Sequence, residues 1–460
     1  MPPSSAPFFC VAACFLTVAL VTPAMAENPA LSIPSTRYEL DNGLEVILHE
    51  DRATPIVHVE LWYHVGSKDE RAGRSGFAHL FEHLMFNGSL HWDSEYFTPL
   101  QPLGARINGT TSTERTNYYE TLPSNALERA LWMEADRMGF LLPALTQRKL
   151  DNQRDVVRNE RRQNYEIAPY GSARKVIVEN IWPEGHPYHH LTIGTHEDLE
   201  AATLDDVRDF FNTWYSPNNA TLSVVGDFDV DETRAWIAKY FGPIPRGPEA
   251  RPVREAEAPL PKKQAVVIED DVQLPRLYWV WQSPAFFEDG DAALDVLSSV
   301  LTQGKVSRLR RRLVFEDQVA KDVSAAQYSA GLGSTYRIVA TVAEGHTVDE
   351  VRRALDDEIQ RILADGPTEE EVERSKNQWR KSFYQRLESV AGKSRMLQSY
   401  NHHTGSPDYV AQDLKRYVDV TVQSVSEWAR KVMNPEHRLE LVVRPGEPDA
   451  EVSGQGEATP

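Results

Sequence analysis

His79, Glu82 and His83 are the residues in this sequence best placed to act together on one bond. The two histidines are four positions apart. A helix of 3.6 residues per turn sets them one turn apart on the same face, where both imidazoles can grip one metal ion. Glu82 shares that edge and can reach a water beside the metal without being a ligand. The stretch Ser75–Gly88 predicts the helix that this geometry needs. Phe77, Leu80, Phe81, Leu84 and Met85 recur at three- and four-residue steps and predict its buried face. Ser75 offers an N-cap and Gly88 a stop. A chance histidine pair on a helix surface is the competing reading, and a third ligand decides between the two. Zinc in a hydrolase usually takes three protein ligands and leaves one position for water. Glu160 is the candidate: it closes the helical-looking stretch Gln153–Glu160 after 76 intervening residues, with Val156 and Val157 at compatible spacing.

The pattern His-x-x-Glu-His, followed about 75 residues later by Val-Val-x-x-Glu, resembles the pitrilysin/insulinase family of inverzincin peptidases. Within it the chain is most similar to the mitochondrial-processing-peptidase branch and its bacterial relatives. The resemblance implies that His79, His83 and Glu160 hold one zinc ion per chain, with Glu82 as the general base in peptide hydrolysis. It also implies a fold: two homologous α+β domains forming half of a clamshell that encloses unfolded peptides. A first departure is Gln153, where the family usually carries a glutamate seven residues before the metal-binding one. An amide hydrogen-bonds but carries no charge, so Gln153 would tune the site differently.

The elements that must position these residues occur twice. Thr203 and Thr421 each open a helix, a proline follows fourteen residues on (Pro217, Pro435), and a strand comes next (221–225, 438–443). Strands at 38–50 and 57–65 precede the metal helix; strands at 265–269 and 277–282 precede a helix at 291–301. Each copy then has paired strands (106–111 with 116–122, 323–329 with 335–342) and a helix (125–138, 348–363). Recurrence in register marks a repeat, and strand runs separated by helix runs mark an α+β class. This divides the chain into an N-terminal metal-binding domain, 33–245, a Pro- and Glu-rich linker, 246–263, and a C-terminal homologous domain, 264–446, followed by a disordered tail, 447–460. The second copy has no His-x-x-Glu-His.

With 460 residues, about two to three domains are expected. A net charge of −19 argues against nucleic acid as a partner and gives no reason to bind an anionic membrane. The charge-free apolar run 8–21, with Ala24-Met25-Ala26 after it, reads as a secretory signal over residues 1–26. Export to a periplasm is the expected localisation, and an uncleaved membrane anchor the alternative. Cys10 and Cys14 both fall in that segment, so cleavage leaves no disulfide, thiolate ligand or cysteine nucleophile.

The polar-turned strand pair from Arg106 to Leu122 offers an edge that a peptide can extend by main-chain pairing. The resemblance makes Asn108 and Thr111 substrate contacts there. His186, His189, His190 and His196 share one short Pro- and Gly-flanked loop, which reads as an exposed turn rather than a second metal site. Arg308–Arg312 reads as a solvated helix face. Family members that complete the active site carry an Arg and a Tyr, seven apart, in the second domain. Here those positions are Val314 and Lys321. The expected partners are therefore peptide substrates and a homologous subunit that supplies the Arg/Tyr pair. The alternative is a homodimer in which Lys321 or one of Arg310–Arg312 supplies the donor. The competing function is a catalytically silent structural or peptide-binding subunit of the same fold.

Overall fold

The computed structural model describes residues 31–446. The segments read as a signal (1–26) and a tail (447–460) lie outside them. Residues 32–446 form one compact unit built on two sheets. The first contains β1 (Thr36–Glu39), β2 (Glu45–Glu50), β3 (Ile56–Tyr63), β4 (Arg106–Thr111), β5 (Thr116–Pro123) and β6 (Ala220–Gly226), in the order β1-β2-β6-β3-β5-β4. The second contains β7 (Gln264–Asp270), β8 (Arg276–Ser283), β9 (Ala320–Tyr328), β10 (Ser334–Val342) and β11 (Leu439–Pro445), in the order β7-β11-β8-β10-β9. Without β1 the two orders are the same. In both, the first and last strands of the copy pair in parallel (β2 with β6, β7 with β11) and all other neighbours are antiparallel. The two homologous α+β domains expected from the repeat are this arrangement.

The run 38–50, read as one strand, is two. Asn42-Gly43 turns the chain back, with Gly43 at φ +89°, and β1 pairs antiparallel with β2. An added Cβ at Gly43 would also stand 2.6 Å from the Asn218 side chain, so glycine is needed there for both reasons. Residues 246–263 form no regular structure and are tethered where the Val253 amide donates to Asp69 at 2.9 Å.

Strand alternation sets what each sheet face meets. On β3, Val57, Val59, Leu61 and Tyr63 face the first core with helices α1 (Phe77–Leu84) and α2 (Leu127–Ala144). The intervening His58, Glu60, Trp62 and His64 point the other way. A solvated face would be the simple expectation from that alternation. Instead it is covered by helix Val390–Thr404, which comes from the second copy. Gln398 donates to the carbonyls of Glu60 and Thr221 at 3.1 and 2.9 Å, Ser394 to the Glu60 carboxylate at 2.9 Å, and Lys393 pairs with Asp51 at 2.5 Å. The second sheet receives the converse. Helix Ala173–Ile181, from the first copy, packs Val176, Ile177 and Ile181 on Tyr278, Val280, Leu439, Leu441 and Val443. Each sheet is thus closed by a helix from the other half. Among the described residues no helix is long and apolar enough to cross a membrane.

Glu60 is fully buried in the first seam and accepts from Trp62 Nε1 (2.8 Å), Asn117 Nδ2 (2.6 Å) and Ser394 Oγ. Burial opposes its ionisation, but His58, Trp62 and Arg395 outweigh that and hold the carboxyl down at about 2. A folded value below the unfolded 4.5 means that Glu60 contributes fully above pH 4.5 and loses its contribution as pH falls toward 2. Urea unfolding measured across that range should show an acid limb that Glu60→Gln flattens. At pH 7 the same variant should lose about 1–3 kcal/mol, because the donors around it lose a charged acceptor. An unchanged acid limb would show that Glu60 does not fasten the seam.

Candidate metal centre

α1 forms because Phe77, Ala78, Leu80, Phe81 and Leu84 bury one face against the first core, leaving His79, Glu82 and His83 on the open side. Its start differs from the expectation. The N-cap is Gly76, not Ser75, and Ser75 is occupied with Asp198 (2.5 Å). The free amides of the first turn are taken by Glu70, whose two carboxylate oxygens accept from Gly76 N at 2.9 Å and Ala78 N at 2.8 Å. A carboxylate there also complements the positive end of the helix. The helix ends at Leu84, and the chain turns on through Gly88 (φ +86°).

α3 (Gln147–Arg161) is capped by Thr146, which accepts from Lys149 N at 3.3 Å. Leu150, Val157 and Arg161 anchor it, whereas Val156 faces solvent. This orientation turns Glu160 toward α1. Glu160 Oε2 lies 3.7 Å from His79 Nε2 and 3.4 Å from His83 Nε2, and one donor atom of each residue falls within 4.8 Å of the others. Among the described residues this is the one group of three or more such side chains that could hold an ion. Asn164, one turn further on, donates to Glu160 Oε1 at 3.3 Å. Sequence reasoning did not find Asn164. Its i+4 spacing from Glu160 was the available signal.

The donor set fits zinc. With metal–ligand bonds near 2.0–2.1 Å, tetrahedral ligand atoms sit roughly 3.4 Å apart, so separations of this size need only a small inward shift. Burial and the neighbouring His83 push the His79 imidazole down to about 4, which leaves it neutral, as ligation requires, at ordinary pH. Hydrogen bonding from His83 holds Glu160 below the usual carboxylate range. Glu160 thus offers a carboxylate beside two imidazoles, a donor set that suits a divalent cation.

Glu82 is set by β4. Burial raises its carboxyl above the usual range, opposed by a hydrogen bond from Thr111 Oγ1 to Oε2 at 2.6 Å. The Thr111 hydroxyl, expected to meet substrate, donates to Glu82 and keeps its acceptor lone pairs and its main chain for other contacts. β4 can come this close because of Gly109, where an added Cβ would stand 3.0 Å from Glu82 Cγ and 3.1 Å from the Phe86 ring. β4 is an edge strand, paired with β5 alone, so its outer main-chain groups are open to an extended peptide. Asn108 and Gln153 line a cavity of about 350 Å³ beside Glu82 and His83.

The remaining expectations separate. The four loop histidines do not converge on one point: His186 stacks on Trp182 (centroids 4.6 Å apart), His189 meets Trp182 O, His190 meets Glu70 at 3.0 Å and His196 meets Glu166 at 2.8 Å. Arg308 is not a solvated face residue. It is largely buried and forks onto Glu371 at 2.8 and 2.7 Å. Val314 is partly buried against the second core, and Lys321 is exposed near the start of edge strand β9.

Residues 45–186 match the family model described as Insulinase (Peptidase family M16), and residues 201–379 match the one described as Peptidase M16 inactive domain, together more than half of the chain. The zinc protease PqqE of Helicobacter pylori is 28% identical over 397 residues, covering 85% of this chain and 89% of that one. The probable mitochondrial-processing peptidase subunit beta of Arabidopsis thaliana is 23% identical over 397 residues, covering 82% and 72%. In fold, the chain is similar to the crystal structure of a protease from Helicobacter pylori, with a TM-score of 0.82 and 24% identity over 90% of this chain and 100% of that one.

Metal analysis after dialysis should find one zinc per chain in the unaltered protein. His79→Ala and His83→Ala should lose it. Glu160→Gln should retain it more weakly, and Glu82→Gln should hold it undiminished. Zinc retained in His79→Ala would show that the three donors do not form the site.

Proposed function

This chain belongs to the insulinase (M16) family of peptidases, and from that premise we propose that it is a zinc-dependent endopeptidase or oligopeptidase acting on unfolded peptides, working as the metal-bearing subunit of a two-subunit enzyme. The observation that carries this reading is the convergence of His79, His83 and Glu160 on one point, with Glu82 fixed beside it by Thr111. A subunit without catalysis has no physical need for that constellation. His79, His83 and Glu160 would hold the zinc ion. When bound, zinc supplies a Lewis acid that polarises the scissile carbonyl and makes water more acidic. Glu82 takes the proton of the attacking water and returns it to the leaving amine. Its raised proton affinity suits both halves of that task. The open edge of β4 aligns the peptide main chain, with Asn108 at its side. The charge-free 8–21 run supports export, with a periplasm as the expected compartment.

A second reading, a peptide-binding or structural subunit without catalysis, is favoured by one observation. The Arg and Tyr positions of the second copy hold Val314, partly buried, and Lys321, exposed. These replace two groups that would hold substrate and its oxyanion. The two-subunit reading accommodates the same fact by drawing them from a homologous partner.

Two measurements test this. Glu82→Gln, zinc-loaded, should lose peptide hydrolysis by about 10²–10⁴-fold. Cleavage at the unaltered rate would remove Glu82 as the base. Adding a homologous subunit that has the Arg/Tyr pair but lacks His-x-x-Glu-His should raise the rate of this chain by about 10²–10³-fold, the usual worth of one oxyanion donor. Full activity of the chain alone, unaffected by Lys321→Ala, would overturn the two-subunit assignment.

A further inference from the structure

His64 follows the last residue of β3, and the helix that covers this face from the second copy, Val390–Thr404, has His402 and His403 in its last turn. The three imidazoles meet in the seam. His64 and His402 stack with ring centroids 5.1 Å apart and planes 21° from parallel, and their Nδ1 atoms are 2.9 Å apart. His403 stands edge-on to His402, with centroids 4.8 Å apart. The hydrogen bonds fix where the protons are. Thr221 Oγ1 donates to Glu45 at 3.0 Å, so it accepts from His64 Nε2 at 2.9 Å. His64 Nδ1 is then a lone-pair acceptor, and His402 Nδ1 donates to it. This contact belongs to neutral rings. One added proton turns the pair into a cation, and two set one N–H against the other.

Among the described residues no carboxylate beside the rings is free to balance such charges. Glu45 already accepts from Arg37, Asn401 and Thr221. Glu114 accepts from Lys68 at 2.6 Å, from Tyr188 and from the Gly331 amide at 3.2 Å. Asp291 accepts from Arg416, Gln327 and Ser329 at 2.5, 2.6 and 2.8 Å, and the exposed Glu249 faces Arg246 at 3.6 Å. The nearby cations Lys68, Arg115 and Arg254 oppose a charge on the rings. The C-terminal end of the helix favours one. Burial outweighs it, bringing His64 and His403 down to about 4 and pushing His402 down as well. All three rings line one cavity of about 660 Å³, so water and protons can reach them.

We infer that these three imidazoles are an acid-released latch: neutral, they let helix Val390–Thr404 close the first sheet, and protonated, they free it. The inference does not depend on the peptidase reading. In the closed seam the rings bind protons less readily than the ordinary imidazole value of 6.5 would allow. Closure is therefore complete above pH 6.5 and is lost as pH falls toward 4. Glu60, in the same seam, acts lower, between 4.5 and about 2, so the two effects separate.

Hydrogen exchange read by mass spectrometry on the full chain compares pH 7 with pH 5, each corrected for its intrinsic exchange rate. We expect exchange across residues 390–404 to rise about tenfold or more at pH 5, reversibly, with α2 unchanged. His402→Asn keeps an amide donor for His64 and removes one titrating ring, so it should cut the rise severalfold. A second variant locks the latch. Ser223 and Ser394 face each other across the seam with Oγ atoms 2.7 Å apart, which suits a disulfide between Ser223→Cys and Ser394→Cys, with Cys10→Ser and Cys14→Ser to remove the native thiols. Oxidised, this protein should show no rise; reduced, the rise should return. Equal protection at the two pH values, a rise that persists in the oxidised protein, a rise indifferent to His402→Asn, or a rise shared by α2 would each overturn the latch.

Discussion

A sheet has two faces, and each half of this chain covers only one face of its own. The other is closed by a helix from the opposite half, Val390–Thr404 on the first sheet and Ala173–Ile181 on the second. The two closures use different chemistry. The second is apolar, side chain on side chain, and needs no directional partner. The first is polar, with Glu60, Thr221, Ser223 and His64 meeting Ser394, Gln398 and His402. Hydrogen bonds are directional, so a buried polar seam fixes one register of helix on sheet where an apolar seam would tolerate several. β3 lies in the middle of this construction. Its polar face fastens the two halves together, and its apolar face carries the core on which α1 rests.

The chemistry of the metal centre follows from that rigidity. Two helices and one edge strand bring their polar groups together, and the positions of α1 and α3 come from buried leucines, valines and phenylalanines. Two site side chains and one helix end have fixed surroundings: Glu82 by Thr111, Glu160 by Asn164 and His83, and the start of α1 by Glu70. Side chains locked in this way meet a metal or a substrate with little left to reorganise, which is where preorganised sites gain their advantage. The open edge of β4 runs beside the same helix because Gly109 removes the one side chain that would hold them apart.

Most of this was legible where the determinants are local. The i, i+4 histidines, the stepped apolar face of α1 and the duplicated helix–proline–strand pattern depend on neighbours within a few residues. The structure places them together as those patterns required. What was not legible depends on tertiary partners. The polar face of β3 carries no mark that says a helix more than three hundred residues later will cover it. Ser75 has the right chemistry for a cap, but Asp198 takes it and Glu70 caps in its place. That the Thr111 hydroxyl also donates to Glu82 could not be read from its place on an edge strand. The split of 38–50 into β1 and β2 is a different kind of miss. Asn42-Gly43 is a local turn signal, and the apolar residues on both sides of it masked the break.

The duplicated fold also explains why, among the described residues, only one half brings three candidate metal ligands together. In the first copy α1 has one face in the core and one face open, so His79, Glu82 and His83 can point at α3 across accessible space. The corresponding helix of the second copy, Asp291–Thr302, is buried nearly all round, including Ala293, Val296, Leu297 and Val300. It is packed against helix Glu369–Leu387, where Ser299 Oγ meets Gln378 Oε1 at 3.1 Å. Placing two imidazoles on that closed helix would put polar rings into a filled core with no room for an ion or a substrate. The second half contributes differently. Its Val390–Thr404 helix locks the first sheet, and the tip of its β9–β10 pair reaches Glu114, in the turn that joins β4 to β5, through the Gly331 amide at 3.2 Å. The strand that flanks Glu82 is thus held at its turn by the other half. The first half draws on the second for geometry rather than for candidate ligands.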